Sequence, residues 1–385
     1  MTLVNKQVSS LYVHIPFCAS KCYYCDFNSY VSTSDVMDRY LDGLDRELEL
    51  VAASYQHEPL QTVFFGGGTP TIFDARQSER MMQMLHRHFR MADGVEISVE
   101  SNPGTVDLDK LHVLKDGGVN RLSFGVQSFD NDLLVKLGRL HDRDAVYRSW
   151  ELARQAGFDS INLDLMFGLP GQTVETLQST LKALIELGPE HVSAYSLKVE
   201  EGTPFYTWYE RGKLILPPEE DEVQMYQLVM DTFRSNGYEM YEISNYAKPG
   251  HRSRHNQVYW RNEPYLAAGS GAHGYVGGVR YINQKDVPQY IETTVGGKRP
   301  VVDTEEITEV MQREDTMILG LRLLEGVTFA RFREKHGTEM LDVFAGPIAK
   351  YRERGLLTVD DVGVRLTPEG IFLANEVYAA FLGDE

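Results

Sequence analysis

Six short apolar runs between Leu11 and Leu197 constrain this chain most, because the stretches between them carry apolar residues three and four positions apart. The runs are LYVHI, TVFFG, EISVE, RLSFGV, SINLDL and HVSAYSL. The intervening stretches, near 35–53, 75–89, 107–116, 145–156 and 174–187, have the period of amphipathic helices. Strand and helix alternating in this way give a parallel sheet wrapped by helices, either doubly wound or curled into a barrel. Polar residues at or just after the C-terminal ends of successive runs favour the barrel, because barrel active sites lie at that end. The expected fold is therefore α/β, a partial (β/α)6 TIM-like barrel over residues 1–200.

Residues 201–302 are richer in Gly, Pro, Tyr and Asn, with one clear helix near 219–236, and read as an extension of the barrel. Residues 303–385 run helix, helix, helix, then the strands LLTV and GVRLT, then a helix from Pro368, the order of a mostly helical winged-helix-like domain. That stretch holds 9 basic and 17 acidic side chains, and the whole chain carries −18. Such a field repels phosphate backbones, so no nucleic-acid partner is expected and the domain reads as a packing or lid element. No run approaches the roughly 18 apolar residues of a membrane span, and MTLVNKQVSS lacks the apolar core of a signal peptide. A cytosolic protein is expected. The sequence leaves a homodimer and peripheral membrane contact open.

All three cysteines, Cys18, Cys22 and Cys25, fall within eight residues as C-x3-C-x2-C. An odd number at this spacing is a metal-ligand pattern rather than a disulfide framework. A 4Fe–4S cluster normally takes four thiolates, so three leave one iron open to a small molecule. S-adenosylmethionine (SAM) can chelate that iron through its amino and carboxylate groups, after which one electron cleaves the sulfonium and releases a deoxyadenosyl radical. The alternatives are a zinc site completed by His14 or Asp26, and plain buried thiols.

The surrounding segment, YVHIPFCASKCYYCDFNS, resembles the radical SAM family of oxygen-independent coproporphyrinogen III oxidases, and the resemblance runs through nearly the whole chain. It implies that Tyr24 packs against the adenine of SAM and that Tyr12 is a further contact. It also implies that Gly67, Gly68 and Thr69, in the GGGTP that follows the second run, receive the amino group. Glu100 and Gln127, at the ends of the third and fourth runs, would meet the ribose. Arg139 would pair with the carboxylate, and Asp164 would accept from ribose or adenine. Each has an ordinary reading too: a turn for the glycines, an interface aromatic for Tyr24, a surface ion pair for Arg139, a helix cap for Asp164. Their spread along successive strand–helix units argues for a joint role. No catalytic residue is assigned.

The porphyrinogen-oxidising members carry one more cysteine two residues after the third. Here Phe27 stands in that place, and only 17 residues precede Cys18, so oxidative decarboxylation of coproporphyrinogen III is not expected. The reading CDFNS resembles instead the heme-chaperone branch, as does His255-Asn256-Gln257-Val258-Tyr259-Trp260, an H-N-x-x-Y-W segment associated with heme binding there. This implies His255 as an axial ligand to heme iron, with Tyr259 and Trp260 offering apolar faces to the macrocycle. His273, in GSGAHGY, is a second candidate histidine whose ordinary reading is a turn residue. The implied function is a heme chaperone that binds heme and passes it to an acceptor protein such as a cytochrome. Coproporphyrinogen III dehydrogenase and a heme-opening radical SAM methyltransferase are the enzyme alternatives.

Overall fold

The computed structural model describes residues 8–55 and 57–383. Its centre is six parallel strands in consecutive order: β1 (Val8–Ile15), β2 (His57–Gly67), β3 (Met91–Ser101), β4 (Arg121–Gln127), β5 (Ile161–Phe167) and β6 (His191–Ser196). Between them run α1 (Ser34–Ser54), α2 (Ala75–His88), α3 (Leu108–Asp116), α4 (Asn131–Lys136), α5 (Arg143–Gln155) and α6 (Val174–Leu187). Consecutive parallel order with helical crossovers is the partial barrel expected from the alternation. The helices start where sequence chemistry lets them. Asp74, Asp107, Asp142 and Thr173 each accept a first-turn backbone N–H as N-caps. The short α4 was not foreseen, because six residues are too few to show a period.

The extension contributes strands to both edges of this sheet. After α7 (Pro204–Glu210) and α8 (Glu219–Ser235), β7 (Glu239–Glu242) and β8 (Asn245–Ala247) pair antiparallel beyond β6. The chain then crosses through α9 (Arg254–Trp260) to β9 (Leu266–Ala268), which lies parallel to β1 at the opposite edge. A separate antiparallel sheet of β10 (His273–Val276), β11 (Val279–Asn283) and β12 (Val301–Glu306) follows, with α10 (Val287–Val295) inserted before its last strand. The strand β12 passes through the boundary placed at 302, because its pairing with β11 continues to Glu306.

The C-terminal part contains α11 (Glu309–Gly320), β13 (Val327–Thr328), α12 (Phe329–His336), α13 (Met340–Glu353), β14 (Leu357–Val359), β15 (Gly363–Leu366), α14 (Pro368–Phe372) and α15 (Ala374–Ala379). The three strands form one small sheet over their own core of Met317, Phe332, Phe344 and Ile348. It docks on the extension through Ile243 N–H to Arg322 O and Leu324 N–H to Tyr241 O. Among the described residues, no helix is long and apolar enough to cross a membrane.

One buried carboxylate ties the extension to the barrel. Glu47, on the inner face of α1, accepts from Gly269 N–H (2.7 Å), Asn283 Nδ2 (2.6 Å) and the Tyr290 hydroxyl (2.6 Å), groups of the β9–β10 turn, β11 and α10. Burial pushes its carboxyl up from 4.5 to about 7. A carboxyl raised on folding binds more protons folded than unfolded between those values, so its contribution is full below pH 4.5 and is lost as pH rises through about 7. Glu47→Ala is expected to destabilise the fold by roughly 3 to 5 kcal/mol, since three buried donors lose their acceptor. Glu47→Gln is expected to flatten the loss of stability between pH 5 and about 8. Denaturant midpoints measured across that range check both.

Candidate functional site

The strands deliver their C-terminal ends to a cavity of about 610 Å³, and the sequence that follows β1 folds back over it. Cys18 N–H donates to Tyr30 O and Tyr30 N–H to Pro16 O, which closes the cysteine loop at its base. Farther out, Tyr23 N–H donates to Leu137 O, and Phe205 N–H donates to Tyr23 O. The loop is thus clasped between the β4–α5 connection and α7, and its three unpaired thiols all face the cavity.

Every residue expected to touch SAM lines this same cavity, together with the three cysteines. Arg139 organises them. Its guanidinium donates to Asn102 Oδ1 at the end of β3, to the carbonyl of Gly125 within β4, and to Cys22 Sγ at 3.5 Å. A Cβ at Gly125 would lie 2.9 Å from Asn102 Oδ1 and 3.2 Å from the guanidinium, so only glycine lets the arginine pass this close. Asn102 Nδ2 in turn donates to the Thr69 hydroxyl, which sits 3.6 Å from Cys18 Sγ. Gln127 ends β4 with φ +67°, a left-handed conformation that is unfavourable for its side chain and typical of functional sites.

The backbone N–H groups of the glycine run are already engaged within the protein. Gly67 N–H donates to Glu100 Oε2 (2.9 Å), Gly68 N–H to Ile15 O and Thr69 N–H to Phe17 O. What this segment can offer an amino group is carbonyl oxygen. Glycine is required here for another reason: Gly67 has φ +104°, and a Cβ on it would sit 2.2 Å from the His14 ring.

Two carboxylates share the interior. Glu100 is pushed up to about 8, first by burial and then by the neighbouring Asp164. Asp164 is also raised by burial, while Asn162 Nδ2 donates to it at 2.7 Å. An arginine, two buried acids and a thiol loop in one cavity match the charges of an amino acid carrying a sulfonium and ribose hydroxyls. Burial also pushes the thiols of Cys18 and Cys25 up, the latter to about 11, so thiolates here would need a cationic centre beside them. No three His, Cys, Asp or Glu among the described residues converge closely enough for a single metal ion. The zinc alternative through His14 fails on its own geometry. That ring is engaged at both nitrogens, by the Tyr12 hydroxyl (3.0 Å) and Asn28 O (2.8 Å).

Several lining groups were missed at the sequence level. Ser123, Asn162, His191 and Ser193 point into the barrel, with His191 bridging Asn162 Oδ1 (2.7 Å) and the Tyr241 hydroxyl (2.8 Å). The signal was present. In β4, β5 and β6, polar residues recur at every second position of otherwise buried strands, which marks an inward face.

The ligand role expected of His255 does not fit this geometry. His255 is 0% exposed, with Nδ1 bonded to the Thr62 hydroxyl (2.8 Å) and Nε2 to the Tyr259 hydroxyl (2.8 Å), and its ring stacks on Phe64. Neither nitrogen is available to a metal. His255 positions Tyr259, whose ring reaches the cavity. Trp260 also departs from expectation: one residue further round α9, it lies under the Arg322 guanidinium at 4.2 Å, facing the C-terminal domain.

The sequence model of the Radical SAM superfamily matches residues 12–184, and that of the HemN C-terminal domain matches 308–373. The heme chaperone HemW of Bacillus subtilis is 45% identical over 378 residues, covering 98% of this chain and 100% of that protein. The mitochondrial radical S-adenosyl methionine domain-containing protein 1 of Danio rerio is 31% identical, over 97% of this chain and 87% of its own. Among solved structures, coproporphyrinogen III oxidase (HemN) from Escherichia coli, a radical SAM enzyme, superposes with a TM-score of 0.85 at 27% identity, over 98% of this chain and 91% of that one.

His255→Ala is expected to destabilise the barrel by roughly 2 to 4 kcal/mol, because it leaves a cavity beside Phe64 and takes the partner from the buried Thr62 hydroxyl and from the half-buried Tyr259 hydroxyl. Denaturant unfolding of the cluster-free protein checks this. A change below about 0.5 kcal/mol would contradict the positioning role.

Proposed function

The chain belongs to the HemW family of radical SAM proteins, and we propose that it is a heme chaperone, binding heme beside a SAM-chelated cluster and passing it intact to an acceptor. Cys18, Cys22 and Cys25 hold the 4Fe–4S cluster. Arg139 and the Gly67–Thr69 segment receive the carboxylate and amino group of SAM, while Glu100, Gln127 and Asp164 meet its ribose. Tyr12 closes the inner wall, and Tyr24 packs against the adenine. When bound, the cluster and SAM supply one-electron chemistry. The chain's own residues fix the ligand's orientation and keep its charges paired away from water.

The observation that carries this reading is Phe27. It stands two residues after Cys25, where porphyrinogen oxidation calls for another cysteine, and it lies 61% exposed on the rim of the cavity. An exposed phenylalanine there offers an apolar face to a macrocycle and no sulfur to the chemistry. The acceptor is a heme protein such as a cytochrome. We place the exchange in the cytosol, where three unpaired thiols stay reduced.

Anaerobic incubation of the cluster-loaded protein with hemin, and separately with coproporphyrinogen III, SAM and reductant, tests the proposal. Near-stoichiometric hemin binding without protoporphyrinogen IX is expected. SAM-dependent formation of protoporphyrinogen IX would replace the chaperone with a dehydrogenase.

A further inference from the structure

The cysteine cavity continues past Phe27 into an outer hollow of about 390 Å³ that shares Tyr12, Gly67, Glu100 and Tyr259 with it. Its far wall comes from the small antiparallel sheet. His273 opens β10 there, and Lys285 follows β11. The position of this wall is fixed. Glu47 and the Tyr40 hydroxyl hold Gly269 N–H and Ser270 N–H, and the Lys285 carbonyl accepts from the hydroxyls of Tyr30 and Ser270.

The histidines around the two hollows differ in one respect that matters to iron. His14, His191 and His255 each have both ring nitrogens engaged by the protein. The ring of His273 is exposed and has no hydrogen-bond partner among the described residues. The Lys285 ammonium, also exposed, makes no ion pair among them. An imidazole, a cation and an exposed aromatic ring around one hollow are the three groups that a ferric macrocycle with propionate arms needs: an axial donor, a counter-charge and an apolar face.

We propose that His273 is the axial ligand to heme iron in this outer hollow, with Phe27 against the macrocycle and Lys285 paired with a propionate. The assignment rests on the chaperone reading. Partial burial and the neighbouring Lys285 charge hold the His273 imidazole below its ordinary pKa, which favours the neutral form that can donate to iron. A single ligand on an exposed rim leaves the opposite face of the iron open. An acceptor's ligand can bind there before the His273–iron bond breaks, so heme moves by ligand exchange with no electron transferred and no bond of the macrocycle altered.

Hemin titration of the cluster-loaded protein, followed by the Soret band and by electron paramagnetic resonance, tests this. His273→Ala is expected to weaken binding on the order of 10- to 100-fold and remove the imidazole signature. His273→Cys is expected to replace that signature with that of a ferric thiolate, which a merely structural histidine would not do. Lys285→Glu is expected to weaken hemin binding without changing the spectrum. Unchanged affinity and spectrum in His273→Ala, with wild-type protein binding hemin, would overturn the ligand assignment and leave the chaperone reading standing. Failure of the wild-type protein to bind hemin would remove both.

Discussion

The contact on which the site depends is Arg139 against Cys22 Sγ, because it fastens the cysteine loop to the ends of β3 and β4 with one fixed charge. Thiols and carboxylates gathered in a buried cavity resist ionisation, as the values of Glu100, Cys18 and Cys25 record, raised first by burial and then by neighbouring negative groups. A guanidinium cannot discharge by losing its proton, so it holds its place where a lysine could turn neutral. The parallel sheet then supplies geometry: consecutive strands end at one level, and residues far apart in sequence meet there.

The inner site was legible in two steps: the resemblance implied Glu100, Gln127 and Asp164, and periodicity put them on successive strands of one sheet. The barrel's inner polar face was there to be read in the alternation of Asn162 and Asp164, or His191 and Ser193. The environment of His255 was not legible. Its partners are Tyr259, four residues on, and Thr62, 193 residues away, and only the crossing of α9 behind β2 brings the threonine to it. The hydrogen bonds of the glycine run were hidden for the same reason, since they are made with Glu100, with the end of β1 and with the residues just after it. The small antiparallel sheet was missed because its strands are short and interrupted by α10.

These hidden contacts separate two tasks within one cavity system. The inner hollow is walled by buried strands and keeps its charges paired, as a cluster and its small-molecule ligand require. The outer hollow is walled by surface strands, with Phe27, His273 and Lys285 exposed. A cargo held there remains open to a second protein, whereas one buried among the strands would have to wait for the barrel to open. The buried carboxylate Glu47 makes the outer wall a fixed part of the structure.

The most direct measurement follows the cargo itself. Hemin labelled with carbon-13 in the macrocycle is loaded anaerobically on the cluster-containing protein, which is then mixed with an apo-cytochrome, and the heme recovered from each protein is analysed by mass spectrometry. The account predicts labelled heme of unchanged mass in the cytochrome. Label retained by the chaperone, or recovered as a methylated or opened macrocycle, would contradict it.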